Sequence, residues 1–93
     1  MVKISKIIDI KPFEIISLFD DGEIRVLDVY PLIQKHLHLE GVDKLLETTA
    51  FEKAQLGQFG EIFWKNIVKS KDNMFLDYDI SPEYFYSNGK KLN

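Results

Sequence analysis

The stretch FEIISLFDDGEIRVLD, residues 13–28, constrains the fold more than any other part of the chain. Asp21-Gly22 is a turn dipeptide whose positive φ suits the right-handed twist of a β-hairpin. On its upstream side, Phe13, Ile15, Ser17 and Phe19 alternate with Glu14, Ile16 and Leu18. Both sets are largely apolar, which predicts a central strand covered on two sides. Downstream, alternation predicts Ile24 and Val26 facing inward and Glu23 and Arg25 facing outward. An antiparallel hairpin is therefore the expected nucleus.

The other elements are read outward from it. Val2, Ile4, Ile8 and Ile10 share one parity and predict a first strand, interrupted at Lys6-Ile7 and closed by Pro12, which has no N–H to donate. Pro31 opens a short helix, PLIQKHL, since its fixed φ suits a first turn. The segment from Val42 to Gln55 carries a helical stripe and is read as one helix or two short ones. In the second case, Thr48 or Thr49 caps the later helix with Glu52 as its capping-box partner. Gly57 and Gly60 bracket a turn or bulge. EIFWK is read as a strand with Ile62 and Trp64 on one face, with a helix through Val68 as the alternative. MFLDYDI is a further strand. Ser81-Pro82-Glu83 starts a last helix, with Ser as cap and Pro as the preorganised first residue, and Asn88-Gly89 ends it. Residues 87–93 are expected to fray.

The expected architecture is a single α+β domain over 1–93. Three N-terminal strands plus one or two later strands form a small antiparallel sheet, with short helices packed on it. At 93 residues and 45% apolar content there is material for one core, with an expected stability of roughly 5–10 kcal/mol. The net charge of −3 argues against nonspecific nucleic-acid binding, which needs a basic surface. The chain has no cysteine, which excludes disulfides, thiolate metal sites and thiol catalysis. No apolar run is long enough to cross a membrane as a helix and the first residues do not read as a signal peptide, so the cytoplasm is the expected location.

The residues able to carry chemistry are few. His36 and His38 would share a face in a strand but diverge in a helix, and a third metal ligand is not evident, although Glu40 is close. Asp77 and Asp79 flank Tyr78. Paired carboxylates serve acid–base chemistry when one pKa is raised, but Asp79 also suits a strand end and Asp77 a solvated or lysine-paired position. Asp28 suits a carboxylate that accepts backbone N–H groups at the strand-to-helix corner. Neither phosphate-binding glycine motifs nor hydrolase or zinc-protease motifs occur. The expectation is a non-enzyme that uses no cofactor and no metal. Trp64, Tyr84 and Tyr86 are the candidate interaction surface, because Trp and Tyr are enriched at binding hot spots. Tyr84, Phe85 and Tyr86 are consecutive, and a helix cannot bury all three on one side. The competing reading is that Phe85 and one tyrosine complete the core.

The hairpin and the later motifs together resemble the bacterial family called domain of unknown function 2442. The resemblance rests on FDDGEIRVLD at 19–28, Pro31-Leu32, an amphipathic stretch containing Phe51, GEIFW at 60–64 and DISPEYFY at 79–86. It covers roughly residues 5–86. One departure is the longer segment between Trp64 and Asp77. The resemblance makes Asp21, Gly22, Asp28, Pro31, Asp79 and Pro82 a structural signature and implies an α+β fold of prokaryotic origin. It carries no catalytic residues. It implies a protein partner encoded nearby, in pairs that look like toxin–antitoxin modules, with a homodimer as the other expectation. Helix-turn-helix fusions among relatives imply the alternative, a transcription-regulatory or nucleic-acid accessory role. An enzyme built on Asp28, Asp77, Asp79 or the histidines ranks below both.

Overall fold

A computed structural model describes residues 1–93 and shows an α+β fold built from two antiparallel sheets over one core. The first sheet contains β1 (Ile4–Lys11), β2 (Glu14–Phe19) and β3 (Ile24–Asp28). Helix α1 (Tyr30–Lys35), a 3-10 turn (Val42–Leu46) and helix α2 (Thr48–Phe51) follow. The second sheet comprises β4 (Gln55–Leu56), β5 (Ile62–Lys69) and β6 (Phe75–Ile80) in that order. Helix α3 (Pro82–Asn88) then returns the chain to the first sheet, where β7 (Lys90–Lys91) completes the order β1-β2-β3-β7. No helix is long and apolar enough to cross a membrane.

The hairpin at Asp21-Gly22 forms as expected. The Phe19 N–H donates to the Glu23 carbonyl (2.8 Å) and the Gly22 N–H to the Phe19 carbonyl (3.0 Å). Only Gly22, at φ 90°, takes the positive φ. The Asp21 carboxylate accepts from the Glu23 N–H at 2.9 Å and holds the turn from inside. The segment read as strand or helix is a strand, Ile62–Lys69, with Ile62 and Trp64 buried on one face. Val42–Phe51 is two short helical pieces.

Several expectations are corrected. Residues 87–93 do not fray. α3 runs to Asn88, Lys91 and Lys90 pair with Arg25 and Val26, and the Leu92 N–H donates to the Ile24 carbonyl at 2.8 Å. The Asn93 side chain accepts from the Ile24 N–H and donates to the Gly22 carbonyl. The tail is therefore the one later strand that joins the N-terminal sheet, and β5 and β6 build a second sheet instead. Within β3 the inward parity is reversed: Ile15 pairs with Leu27 and Ser17 with Arg25, and Ile15, Ser17 and Leu27 are the buried residues. Opposed residues share a face, so Arg25 lies on the core side. In β1, bulges between Ile4 and Lys6 and between Ile7 and Asp9 switch faces, which leaves Ile8 exposed. Phe13 is not in β2 but in the two-residue turn Pro12-Phe13, at φ 65°, and its ring packs edge-on against Tyr30 and Phe51. Neither Thr48 nor Thr49 caps α2, whose N-cap is Glu47 with no side-chain bond.

One buried polar group lacks a partner. Ser17 is fully buried and its Oγ makes no hydrogen bond. An unpaired buried hydroxyl carries an uncompensated desolvation cost. Ser17→Ala is therefore expected to raise stability by about 1 kcal/mol, read as an upward shift of the urea midpoint with an unchanged m-value.

Candidate functional site

Two regions bring together the residues on which function could rest. The first is the junction of α3 with the hairpin. Ser81 caps α3 by accepting the Tyr84 N–H at 3.1 Å, and Pro82 follows it. Phe85 points into the core with no exposure, and Tyr84 stays at the surface. Tyr86 lies between them. Its hydroxyl bonds the Asp21 carboxylate at 2.8 Å and the Glu23 carboxylate at 2.9 Å. Arg25 stacks its guanidinium 4.1 Å from the centre of the Tyr86 ring. It also pairs with Glu23 at 2.7 Å and donates to the Gly89 carbonyl at 3.1 Å. The Arg25 and Glu23 side chains are only 17% and 24% exposed, so this pair is less screened than an ordinary surface pair. The cluster ties the last helix to the turn of the hairpin. Alternation places Arg25 outward, so this cluster leaves no signal in the sequence.

This cluster has a pH signature. Hydrogen bonds to Asp21 and then Glu23 raise the Tyr86 hydroxyl to about 12. Burial raises Tyr78 to about 12 as well. A tyrosine raised in the folded state contributes stability in full below its ordinary value of about 10, and that contribution is lost as pH climbs through 12. Asp21 shifts the opposite way, lowered by the Glu23 N–H and then by Tyr86. Its contribution is present above the ordinary value of 3.8 and lost as pH falls through the lowered one. Absorbance titration is expected to show two tyrosines ionising near pH 12, with one late step removed in Tyr86→Phe.

The second region is the outer edge of the second sheet. β6 is its terminal strand, and no strand pairs with its far side. Met74, Phe75 and Leu76 are 63%, 55% and 53% exposed at the start of this edge. The turn before them closes with the Ser70 N–H on the Met74 carbonyl (2.8 Å), and Asn73 takes φ 59°. Asn is among the few residues that visit this region at low cost. Opposite the middle of β6, β5 bulges between Trp64 and Val68, and Asn66 sits at φ 54°. The Asp77 carboxylate accepts the Asn66 N–H at 3.1 Å and satisfies the bulge. The longer segment after Trp64 is thus a bulge and a hairpin extension.

The other sequence candidates fall as follows. Asp28 accepts the Tyr30 N–H at 3.1 Å and secures the corner where Pro31 enters α1, as expected. Asp79 is exposed on β6 and lines a shallow recess with Asp77, Glu61 and Phe63. Trp64 is not a surface residue. It is 1% exposed, packs against Phe51 and Tyr78, and donates its indole N–H to the Phe51 carbonyl at 2.8 Å. Alternation placed it on the inner face with Ile62, and that signal outweighs the enrichment of Trp at interfaces. His36 and His38 do not diverge, because α1 ends at Lys35 and a turn brings their rings to 6.2 Å. His36 Nδ1 lies 2.7 Å from the Tyr78 hydroxyl, so that nitrogen is engaged. No three His, Asp or Glu side chains are grouped to hold a metal ion.

No protein-family model, curated protein or solved structure matches the chain.

Proposed function

We propose that the protein is a non-enzymatic interaction module that takes up an extended segment of a partner protein along the edge of β6. The observation that carries this reading is the contrast between its two long edge strands. β1 has Lys6 and Lys11 along its length and two bulges, the devices by which an edge resists pairing. β6, FLDYDI, has no lysine, no proline, and an exposed Phe75-Leu76 start. Its backbone can form a further ladder, and its side chains give it apolar contact area.

The chemistry of the partner follows from the charges beside the edge. Asp77, Asp79 and Glu61 surround Phe63, so a segment alternating apolar and basic residues is complementary. A second copy would set acidic strand against acidic strand. The candidate carboxylates Asp28 and Asp77 are already engaged by backbone N–H groups, which favours a structural role over catalysis. The family resemblance adds that the partner is encoded beside this protein in a bacterium, in an antitoxin-like or regulatory pairing.

Co-expression with the neighbouring gene product, followed by size-exclusion chromatography, tests this reading. The wild-type proteins are expected to co-elute. The double substitution Phe75→Lys, Leu76→Lys is expected to weaken the complex at least about tenfold, the loss of two anchoring side chains, with the melting temperature unchanged. Co-elution that survives this substitution, or self-association in place of a complex, contradicts it.

A further inference from the structure

A separate recess lies on the surface between the 3-10 turn, α2, β4 and β5, with a cavity volume of about 160 Å³. Lys44, Lys53 and Lys65 surround it, Gln55 adds an amide, and Trp64 and Ile67 form its inner wall. The chain is acidic overall, yet here three lysines converge, and none of them has a carboxylate within ion-pair distance. All three are exposed, whereas Trp64 and Ile67 are buried and show only slivers of surface, at the inner wall of the recess.

We propose that this recess binds a small aromatic carboxylate. The three ammonium groups supply an attractive field for one anionic head, and lysine serves as a point charge for such groups. The volume matches a single ring, since a cavity of about 150 Å³ accommodates benzene. Half-buried Ala50, the aliphatic stems of the lysines and the exposed edges of Trp64 and Ile67 give the ring apolar contact. The indole N–H is already engaged by Phe51, so it offers the ligand no donor.

The recess contains its own reporter, because Trp64 is the only tryptophan. Benzoate is the probe. Titration is expected to give a saturable change in tryptophan fluorescence that weakens with added salt. Benzamide, which keeps the ring and lacks the charge, is expected to give no saturation over the same range. Inorganic phosphate, which has charge and no ring, is expected to bind at least about tenfold more weakly than benzoate. Lys65→Gln and Lys53→Gln are each expected to weaken benzoate binding about tenfold, the loss of one charge-assisted contact. Lys71→Gln, at the far hairpin turn, is expected to leave it unchanged. All three positions are exposed, so the substituted proteins keep their fold, and circular dichroism checks this. No saturable response to benzoate, or equal responses to benzoate and benzamide, overturns the proposal. So does phosphate binding as tightly as benzoate, or a loss in Lys71→Gln as large as in Lys65→Gln.

Discussion

Trp64→Ala is expected to cost about 3–5 kcal/mol of folding stability, the range for a large aromatic removed from a core. The indole is 1% exposed and packs against Phe51 and Tyr78. Its loss opens a cavity between α2 and the second sheet. It also removes the donor to the Phe51 carbonyl, which adds an unpaired buried acceptor to the cost. A domain of this size has little more stability than that to lose, so the variant is expected to be largely unfolded at 37 °C. Trp64→Phe keeps most of the packing and loses the hydrogen bond, and so falls between wild type and alanine. Urea denaturation of the three proteins orders them. A Trp64→Ala protein with wild-type stability would show the indole to be outside the core.

Gly41→Ala is the second large effect, and its cause is backbone geometry. Gly41 has φ 101°, which L side chains rarely adopt, and a Cβ there would run into the backbone carbonyl of Ile67. The neighbouring Glu40 carbonyl accepts the Lys69 N–H at 2.9 Å, so the loop is pinned to β5 and cannot move aside without breaking that bond. Strained φ and overpacking against a rigid strand together give a cost of about 2–5 kcal/mol. The contrast is Gly22→Ala. Gly22 also has positive φ, at 90°, but a Cβ there meets nothing within 4 Å. Only the conformational part, about 1–2 kcal/mol, is expected at that position. Thermal denaturation of both variants separates the two contributions, and equal losses would remove the collision argument.

How far the fold could be read from the chain depends on the range of the forces involved. The turn at Asp21-Gly22, the cap at Ser81, the Pro31 corner and the Asp28 carboxylate are local devices, and each is where its neighbours in sequence put it. Alternation also placed Ile62 and Trp64 together on the inner face. Two local expectations failed, the Thr48 or Thr49 cap and Phe13 as part of β2, and the other failures were decided by distant partners or by bulges. The tail pairs as a strand because α3 delivers it beside β3 and Asn93 finds the backbone of Gly22 and Ile24. Arg25 occupies a core-facing position because Tyr86, Glu23 and the Gly89 carbonyl meet it there. The β1 bulges and the β5 bulge shift parity, and simple alternation carries no sign of them beyond the break at Lys6-Ile7.

The candidate site divides the same way. Interface enrichment of aromatics pointed to Trp64, Tyr84 and Tyr86, yet Trp64 is interior and Tyr86 is held by two carboxylates and an arginine. Tyr84 is exposed, while Tyr86 is half-exposed but already engaged. The exposed apolar run, Met74 to Leu76, lies within a stretch that already read as a strand. That it occupies an unprotected edge depends on the sheet order, which places β6 last, and that order is set by contacts between segments far apart in the chain.

Hydrogen exchange on the complex with the neighbouring gene product tests the central claim most directly. Pairing along β6 predicts that amides within Phe75–Ile80 gain protection on binding, while those of the lysine-bearing β1 edge do not change. Protection confined to β1, or to the exposed face of α3 around Tyr84, would contradict it.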